Sequence, residues 1–117
     1  MDINHALIAF SALSQETRLQ LFRLLVQYGK EGCAAGFLGE QLGVPHNTLS
    51  FHLSHMHQAG LVTSRREGRS IIYMANVDTI ENLVSFMVEN CCLREKDKKS
   101  NCAPASKTKK KSKSICC

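Results

Sequence analysis

Apolar residues near the middle of the chain recur at helical spacing. Leu49, Leu53 and Met56 repeat at i, i+4 and i+7, which is one face of a helix with 3.6 residues per turn. The other face carries short polar side chains with little negative charge, which suit phosphate oxygens and base edges. The run from Asn47 to Val62 therefore predicts a recognition helix that stops at Gly60 and passes into a strand. Taken alone, it also fits an ordinary amphipathic surface helix.

The segments on either side favour recognition of DNA. Upstream, Ala34 to Val44 predicts a short helix, and Gly43 is placed to supply the left-handed residue of a tight turn. A helix, a glycine-bearing turn and a second helix form a helix-turn-helix unit. Downstream, Leu61 to Arg65 and Ser70 to Ala75 predict two strands joined by a basic tip. This hairpin is a wing.

Three further helices complete the prediction. Two of them are expected from Asn4 to Ala12 and from Ser14 to Tyr28, with Ser14 as the N-cap of the second. The last helix is expected from Val77 to about Asn90, with Asp78 able to cap its start. Its apolar stripe suits a dimer interface, although packing within one chain gives the same pattern. The fold class is mainly α with a small β-hairpin.

At this point the sequence resembles a known family. SFHLSHMHQAGLV followed by RREGRSIIY is similar to the ArsR/SmtB repressors, whose signature is Ser, any residue, His, Leu, then Ala-Gly-Leu-Val and an Arg-Glu-Gly-Arg wing. SQETRLQLFRLL, from Ser14 to Leu25, matches their second helix, so the resemblance covers about Ser11 to Asn90. It implies a winged helix-turn-helix homodimer with an interface formed by the first and last helices. It leaves the inducer open, because family members place their ligand sites in several locations.

Charge and composition divide the chain into two parts. The net charge is +5, but residues 1–92 hold six cations against eight carboxylates, and residues 93–117 hold nine against two. The second part has scarcely any apolar content, which is typical of a segment that cannot offset its own ordering entropy. We therefore expect a winged helix-turn-helix DNA-binding and dimerisation domain over 1–92 and a flexible, basic, cysteine-containing tail over 93–117.

The expected location is the cytoplasm, without a membrane partner. No apolar stretch approaches the roughly 18 residues of a membrane span, and the N-terminus lacks a basic leader.

The proposed DNA contacts lie on the recognition helix and the wing. Three of the six cations in residues 1–92 fall in the wing, a local focus suited to holding phosphates. His52 has an equally weighted alternative as a buried helix residue that is hydrogen-bonded within the fold. The candidate residues are Asn47, Thr48, Ser50, His52, Ser54, His55, Arg65, Arg66 and Arg69.

The six cysteines of a cytosolic chain are better interpreted as thiols for metal or redox chemistry than as disulfides. Trivalent arsenic and antimony are soft ions that prefer thiolates, so Cys91, Cys92 and Cys102 form a reasonable three-sulfur site. Adjacent residues of a helix diverge by about 100°. Both Cys91 and Cys92 can therefore face one ion only if the helix end unwinds or the pair lies just past it.

Other ligand sites of the resembling family are incomplete here. Many arsenic repressors carry a Cys-Val-Cys cluster before the recognition helix, but the matching place reads GCAAGF and holds only Cys33. Zinc-responsive relatives use Asp, His and Glu along the last helix; Asp78 and Glu89 are present, but no histidine lies between Val77 and Asn90. By elimination, the cysteines near the C-terminus are the sensor candidates.

The expected function is a transcriptional repressor that binds operator DNA as an apo dimer and is released when trivalent arsenic or antimony binds these thiolates. Alternatives are a thiol redox or persulfide-sensing repressor of the same fold, and a thiol-rich metal-handling interaction protein. An enzyme has no support, because the sequence shows no glycine-rich phosphate loop, no paired carboxylates and no nucleophile with a fixed base. No organic cofactor is expected. Methylated arsenite, which two thiolates satisfy, and the role of Cys116 and Cys117 stay open.

Overall fold

The structure is a computed structural model that describes residues 1–95 of the 117. It divides into two compact units, residues 1–83 and residues from 84 onward. The helices within the described part are α1 (Ile3–Leu13), α2 (Glu16–Tyr28), α3 (Ala35–Leu42), α4 (His46–Gln58) and α5 (Val77–Val88), with a short 3-10 turn at Gly29–Glu31. The strands there are β1 (Cys33–Ala34), β2 (Val62–Glu67) and β3 (Ser70–Ala75).

The turn between α3 and α4 has the predicted geometry. Gly43 is left-handed, with φ 65° and ψ 36°, and its amide donates to the carbonyl of Gly39. A side chain on Gly39 would approach the carbonyl of Val44 at 3.2 Å, so this glycine allows the turn to pass close to α3. The helix-turn-helix prediction is confirmed.

The wing is confirmed and is longer than expected. β2 and β3 pair antiparallel from Val62 opposite Ala75 to Glu67 opposite Ser70, and Gly68 in the connecting turn has φ 63°. A third strand, β1, pairs with the other edge of β3 through Cys33 opposite Tyr73. Two residues carry too little alternation for a strand prediction, so β1 was not expected.

The core of residues 1–83 lies where α2, α3 and α4 meet the start of β2. Leu49, Leu53 and Met56 are buried, as their spacing predicts. The largest side chains that are essentially inaccessible to solvent are Leu21, Leu25, Leu38, Leu49, Leu53, Met56, Leu61 and Val62. This core fixes the face that α4 turns outward.

Two capping predictions are wrong. Ser14 ends α1, and its hydroxyl donates to the carbonyl of Ser11. Gln15 caps α2 instead, because its side-chain oxygen accepts the amide of Arg18. α5 begins at Val77, so Asp78 lies in the first helical turn, where a carboxylate still favours the positive end of the helix dipole.

In the second unit, α5 ends at Val88 rather than at about Asn90. Asn90 and Cys92 have φ values of 67° and 61°, so the backbone has left the helix before the cysteine pair. Of the two arrangements that would let both cysteines face one ion, the structure has the second, in which the pair lies just past the helix end. Over residues 1–95, no helix is long and apolar enough to cross a membrane.

Candidate nucleic-acid interface and thiol pair

The outward face of α4 carries most of the residues expected to contact DNA. Asn47, Thr48, Ser50 and Ser54 are exposed, and His55 is half-buried. They occupy the side opposite Leu49, Leu53 and Met56, because the burial of that apolar stripe turns the other face to solvent.

Phe51 also lies on this outward face, although it was not among the predicted DNA contacts. Its side chain is 66% exposed, the same fraction as Leu93 and the highest among the large apolar residues of the described part. The ring meets those of His52 and His55 edge-on, with centroid distances of 5.8 and 6.3 Å. Its spacing of four residues after Asn47 places it in the middle of the polar face, and this spacing was visible in the sequence.

His52 faces the interior instead, which corrects its placement among the DNA contacts. It is 8% exposed, and its Nδ1 accepts a hydrogen bond from the Arg18 guanidinium at 3.2 Å. Arg18, also 8% exposed, donates from Nε to the carbonyl of Ala12 at 2.7 Å. Burial lowers the pKa of His52, and the charges of Arg18 and His55 lower it further. Of the two roles considered for His52, the structure gives the buried one.

The three wing arginines separate into two groups. Arg65 is half-buried, and its guanidinium donates to the carbonyls of Lys30 at 2.8 Å and Glu31 at 2.9 Å, and to the Glu67 carboxylate at 2.6 Å. Arg66 and Arg69 are exposed. Arg65 therefore ties β2 to the 3-10 turn, while the other two carry the outward charge of the wing.

The two vicinal cysteines of the second unit lie close together. The Sγ atoms of Cys91 and Cys92 are 3.5 Å apart, and both side chains are exposed. The hydrogen bond with Cys91, followed by burial and then by Glu95, raises the pKa of Cys92 to about 12. Cys102, the third predicted ligand, lies outside the described residues.

Cys33 belongs to the first unit, residues 1–83. It is buried in β1, and burial raises the pKa of its thiol. Within residues 1–95 no three His, Cys, Asp or Glu side chains are grouped closely enough to hold a metal ion.

Comparison with known proteins agrees with this architecture. A helix-turn-helix domain family matches residues 13–65. The uncharacterized HTH-type transcriptional regulator YceK of Bacillus subtilis is 32% identical over 80 residues, which cover 68% of this chain and 79% of that protein. The arsenical resistance operon repressor of Bacillus subtilis is 32% identical over 93 residues, covering 80% of this chain and 85% of the repressor.

A solved structure shows the same fold. The homodimeric winged helix-turn-helix DNA-binding domain Mb0332 of Mycobacterium bovis, described as a possible ArsR-family regulator, superposes with a TM-score of 0.62. It is 28% identical, and the match covers 74% of this chain and 78% of that domain. Because it has the helix-turn-helix and the wing and is similar to these proteins, the chain belongs to the ArsR/SmtB family of winged helix-turn-helix transcriptional regulators.

Proposed function

We propose that this regulator is a repressor whose apo dimer binds operator DNA and whose release follows the binding of trivalent arsenic or antimony to Cys91, Cys92 and Cys102. The observation that carries the proposal is the 3.5 Å separation of the Cys91 and Cys92 sulfurs just past α5. Membership of the family does not by itself identify the inducer.

The sulfur separation suits one bound ion. Thiolate bonds to metals are about 2.3 Å long. Two such ligands on one centre, at angles of roughly 90° to 110°, are roughly 3.3 to 3.8 Å apart, a range built from that bond length. The observed 3.5 Å falls inside this range, so the pair needs little rearrangement to bind.

The raised pKa of Cys92 is compatible with the binding of a metalloid. With its pKa at about 12, Cys92 keeps its proton at neutral pH. A divalent cation must displace thiol protons into solvent. Arsenous acid carries three hydroxyl groups, and each arsenic–sulfur bond forms as one thiol proton leaves with one hydroxyl as water. No net proton is released, so a protonated thiol is a suitable partner.

The operator complex is proposed to be a two-fold symmetric dimer. Ile3, Leu7 and Phe10 of α1 are exposed apolar residues, and so is Met87 of α5. These surfaces support an interface from the first and last helices, and the domain of Mycobacterium bovis named above is a homodimer. Two copies of α4 then enter major grooves about 34 Å apart or a multiple of that.

The DNA contacts are assigned by exposure. We place base-edge and phosphate contacts at Asn47, Thr48, Ser50, Ser54 and His55, all on the outward face of α4. Phosphate contacts of the wing are assigned to Arg66 and Arg69, and Arg65 is assigned to holding the wing in position.

Release is coupled to the end of α5. The loop of nine residues between Cys92 and Cys102 closes at an entropic cost that grows only logarithmically with length. When Cys102 binds the same ion as Cys91 and Cys92, the basic tail, residues 93–117, is brought toward the end of α5 in the proposed dimer interface. An inducer shifts such an equilibrium by its differential affinity for the two forms, typically about 1 to 3 kcal/mol.

The test is an arsenite titration of the full chain bound to an operator selected from random duplexes. A phosphine reductant is used, because dithiols bind arsenite themselves. Cys91→Ser and Cys92→Ser are expected to keep operator affinity and lose release by arsenite. Cys33→Ser is the matched control and should behave as the wild type.

The outcomes separate the alternatives. Loss of induction in the Cys33 variant, or its retention in the Cys91 and Cys92 variants, would refute the proposed site. Release by a disulfide-forming oxidant, together with no response to arsenite under reduction, would identify the redox-sensing repressor instead.

A further inference from the structure

Phe51 is an apolar ring at the centre of the polar face that α4 turns outward. Asn47 precedes it by one helical turn and Ser54 follows it by nearly one, so both lie on the same side of the helix. Its 66% exposure excludes a role in the core of residues 1–83. A phenylalanine at such a position is exposed to water in the free protein and gains most from a partner that covers it.

The ring contacts two neighbouring histidines. Its edge-on contacts join it to His52, which is itself fixed by Arg18, and to the half-buried His55. Rotamer freedom lost on binding is therefore smaller than for an unsupported exposed side chain. The protein thus presents an apolar surface on the outward face of α4, the face that contacts the groove in the proposed complex.

The major groove offers one apolar group at its base edges, the 5-methyl group of thymine. The other exposed groups there are hydrogen-bond donors and acceptors, which a phenylalanine ring desolvates without compensation. We propose that Phe51 reads a thymine in each operator half-site by packing against its 5-methyl group. This inference rests on the proposed binding of operator DNA by α4 and adds a base preference at one position.

Replacement of thymine by deoxyuridine tests it directly, since this change removes only the methyl group. The wild-type chain is first used to select an operator from random duplexes, and each symmetry-related pair of thymines is then replaced. At one pair, affinity should fall by roughly fourfold per half-site, or about fifteenfold for both, as expected for the burial of one methyl group. At the remaining pairs the loss should be smaller.

Variants assign the effect to the side chain. Phe51→Ala should bind the thymine and deoxyuridine operators equally, and repeated selection with Phe51→Gln should favour adenine at that position, because glutamine pairs with its N6 and N7. Val26→Ala is the control, since it shortens an exposed apolar side chain of α2 and should keep the wild-type thymine dependence. Circular dichroism checks that each variant is folded.

The possible failures are distinguishable. If the wild type selects no sequence, operator binding itself is refuted. If it selects an operator but every deoxyuridine replacement has the same small effect, or if Phe51→Ala keeps the thymine dependence, only the assignment of Phe51 is overturned. An equal loss of affinity by Phe51→Ala for operator and random duplexes would also overturn it, because it would show a contact that reads no base.

Discussion

Arg18 donates a hydrogen bond to Nδ1 of His52 at 3.2 Å, and this contact joins α2 to the interior of α4. A guanidinium has no acceptor, so the Nδ1 atom must carry the lone pair and the imidazole is neutral with its proton on Nε2. Through Nε, the same guanidinium also holds the carbonyl of Ala12 at the end of α1. One buried cation thus links three helices, one of which is the proposed recognition helix.

The neutral state of His52 predicts a pH dependence of stability. Its pKa is lowered from 6.5 in the folded protein by burial and by the charges of Arg18 and His55. The unfolded chain therefore takes up the proton first, so this contribution to stability is fully present above about pH 6.5 and is lost as the pH falls toward the folded pKa. The free energy of unfolding, measured with urea between pH 7.5 and 5, should decrease over this window.

A substitution isolates this effect from other titrating groups. His52→Asn retains an oxygen that can accept from Arg18 but does not titrate, so its stability should vary less with pH than that of the wild type. His57→Asn changes an exposed histidine of the same helix and should keep the wild-type dependence. Equal pH dependence in all three proteins would show that His52 does not control it.

Arg18 itself should not be replaceable by lysine. An ammonium lacks the planar fork that reaches both Ala12 and His52, so one buried acceptor is left unsatisfied. The expected cost of Arg18→Lys is about 1–3 kcal/mol in the free energy of unfolding. Arg23→Lys, at an exposed position of the same helix, is the comparison and should change stability by less than about 0.5 kcal/mol. Similar values for the two variants would argue against a structural role for the buried cation.

Patterns that repeat along the chain predicted most of this structure. The spacing of Leu49, Leu53 and Met56 and the place of Gly43 were enough to predict the helix-turn-helix, because burial and backbone conformation determine both. The roles of His52 and Arg65 depend instead on single long-range contacts. The role of His52 is decided by Arg18, 34 residues earlier, and that of Arg65 by carbonyls 34 and 35 residues earlier. Local sequence patterns do not identify partners that lie so far away along the chain.

Gly32 and Gly29 form a matched pair for testing the junction between β1 and β3. Both have positive φ, 68° and 56°, so alanine is strained at either position. At Gly32 the new Cβ would lie 2.5 Å from the carbonyl oxygen of Tyr73, whereas at Gly29 it meets nothing within 4 Å. Gly29→Ala should cost about 1–3 kcal/mol from backbone strain. Gly32→Ala should cost about 1–3 kcal/mol more, because β1 must move away. If urea unfolding gave equal losses of unfolding free energy for the two variants, the close approach of Gly32 to the Tyr73 carbonyl would be shown to be unimportant.

The wing arginines differ in exposure, so their substitution should give two different phenotypes. Arg66 and Arg69 are exposed, so in the proposed complex their loss removes phosphate contacts and the counterions released with them. For the double alanine variant, the slope of log affinity against log salt should become shallower by about 0.9 per lost contact, or roughly 3.6 for both wings of a dimer. Its thermal stability should stay near that of the wild type, since surface substitutions usually shift stability by less than about 0.5 kcal/mol.

Arg65→Ala is the comparison that makes the wing measurement decisive. This change removes the donors that hold the carbonyls of Lys30 and Glu31, so it should lower the melting temperature. Because the guanidinium is already engaged within the fold, its loss should leave the salt slope of the folded protein nearly unchanged. The reverse result, a shallower slope for Arg65→Ala and an unchanged slope for the double variant, would place the phosphate contact on Arg65. It would also mean that the bonds of Arg65 to the 3-10 turn open when the wing meets DNA.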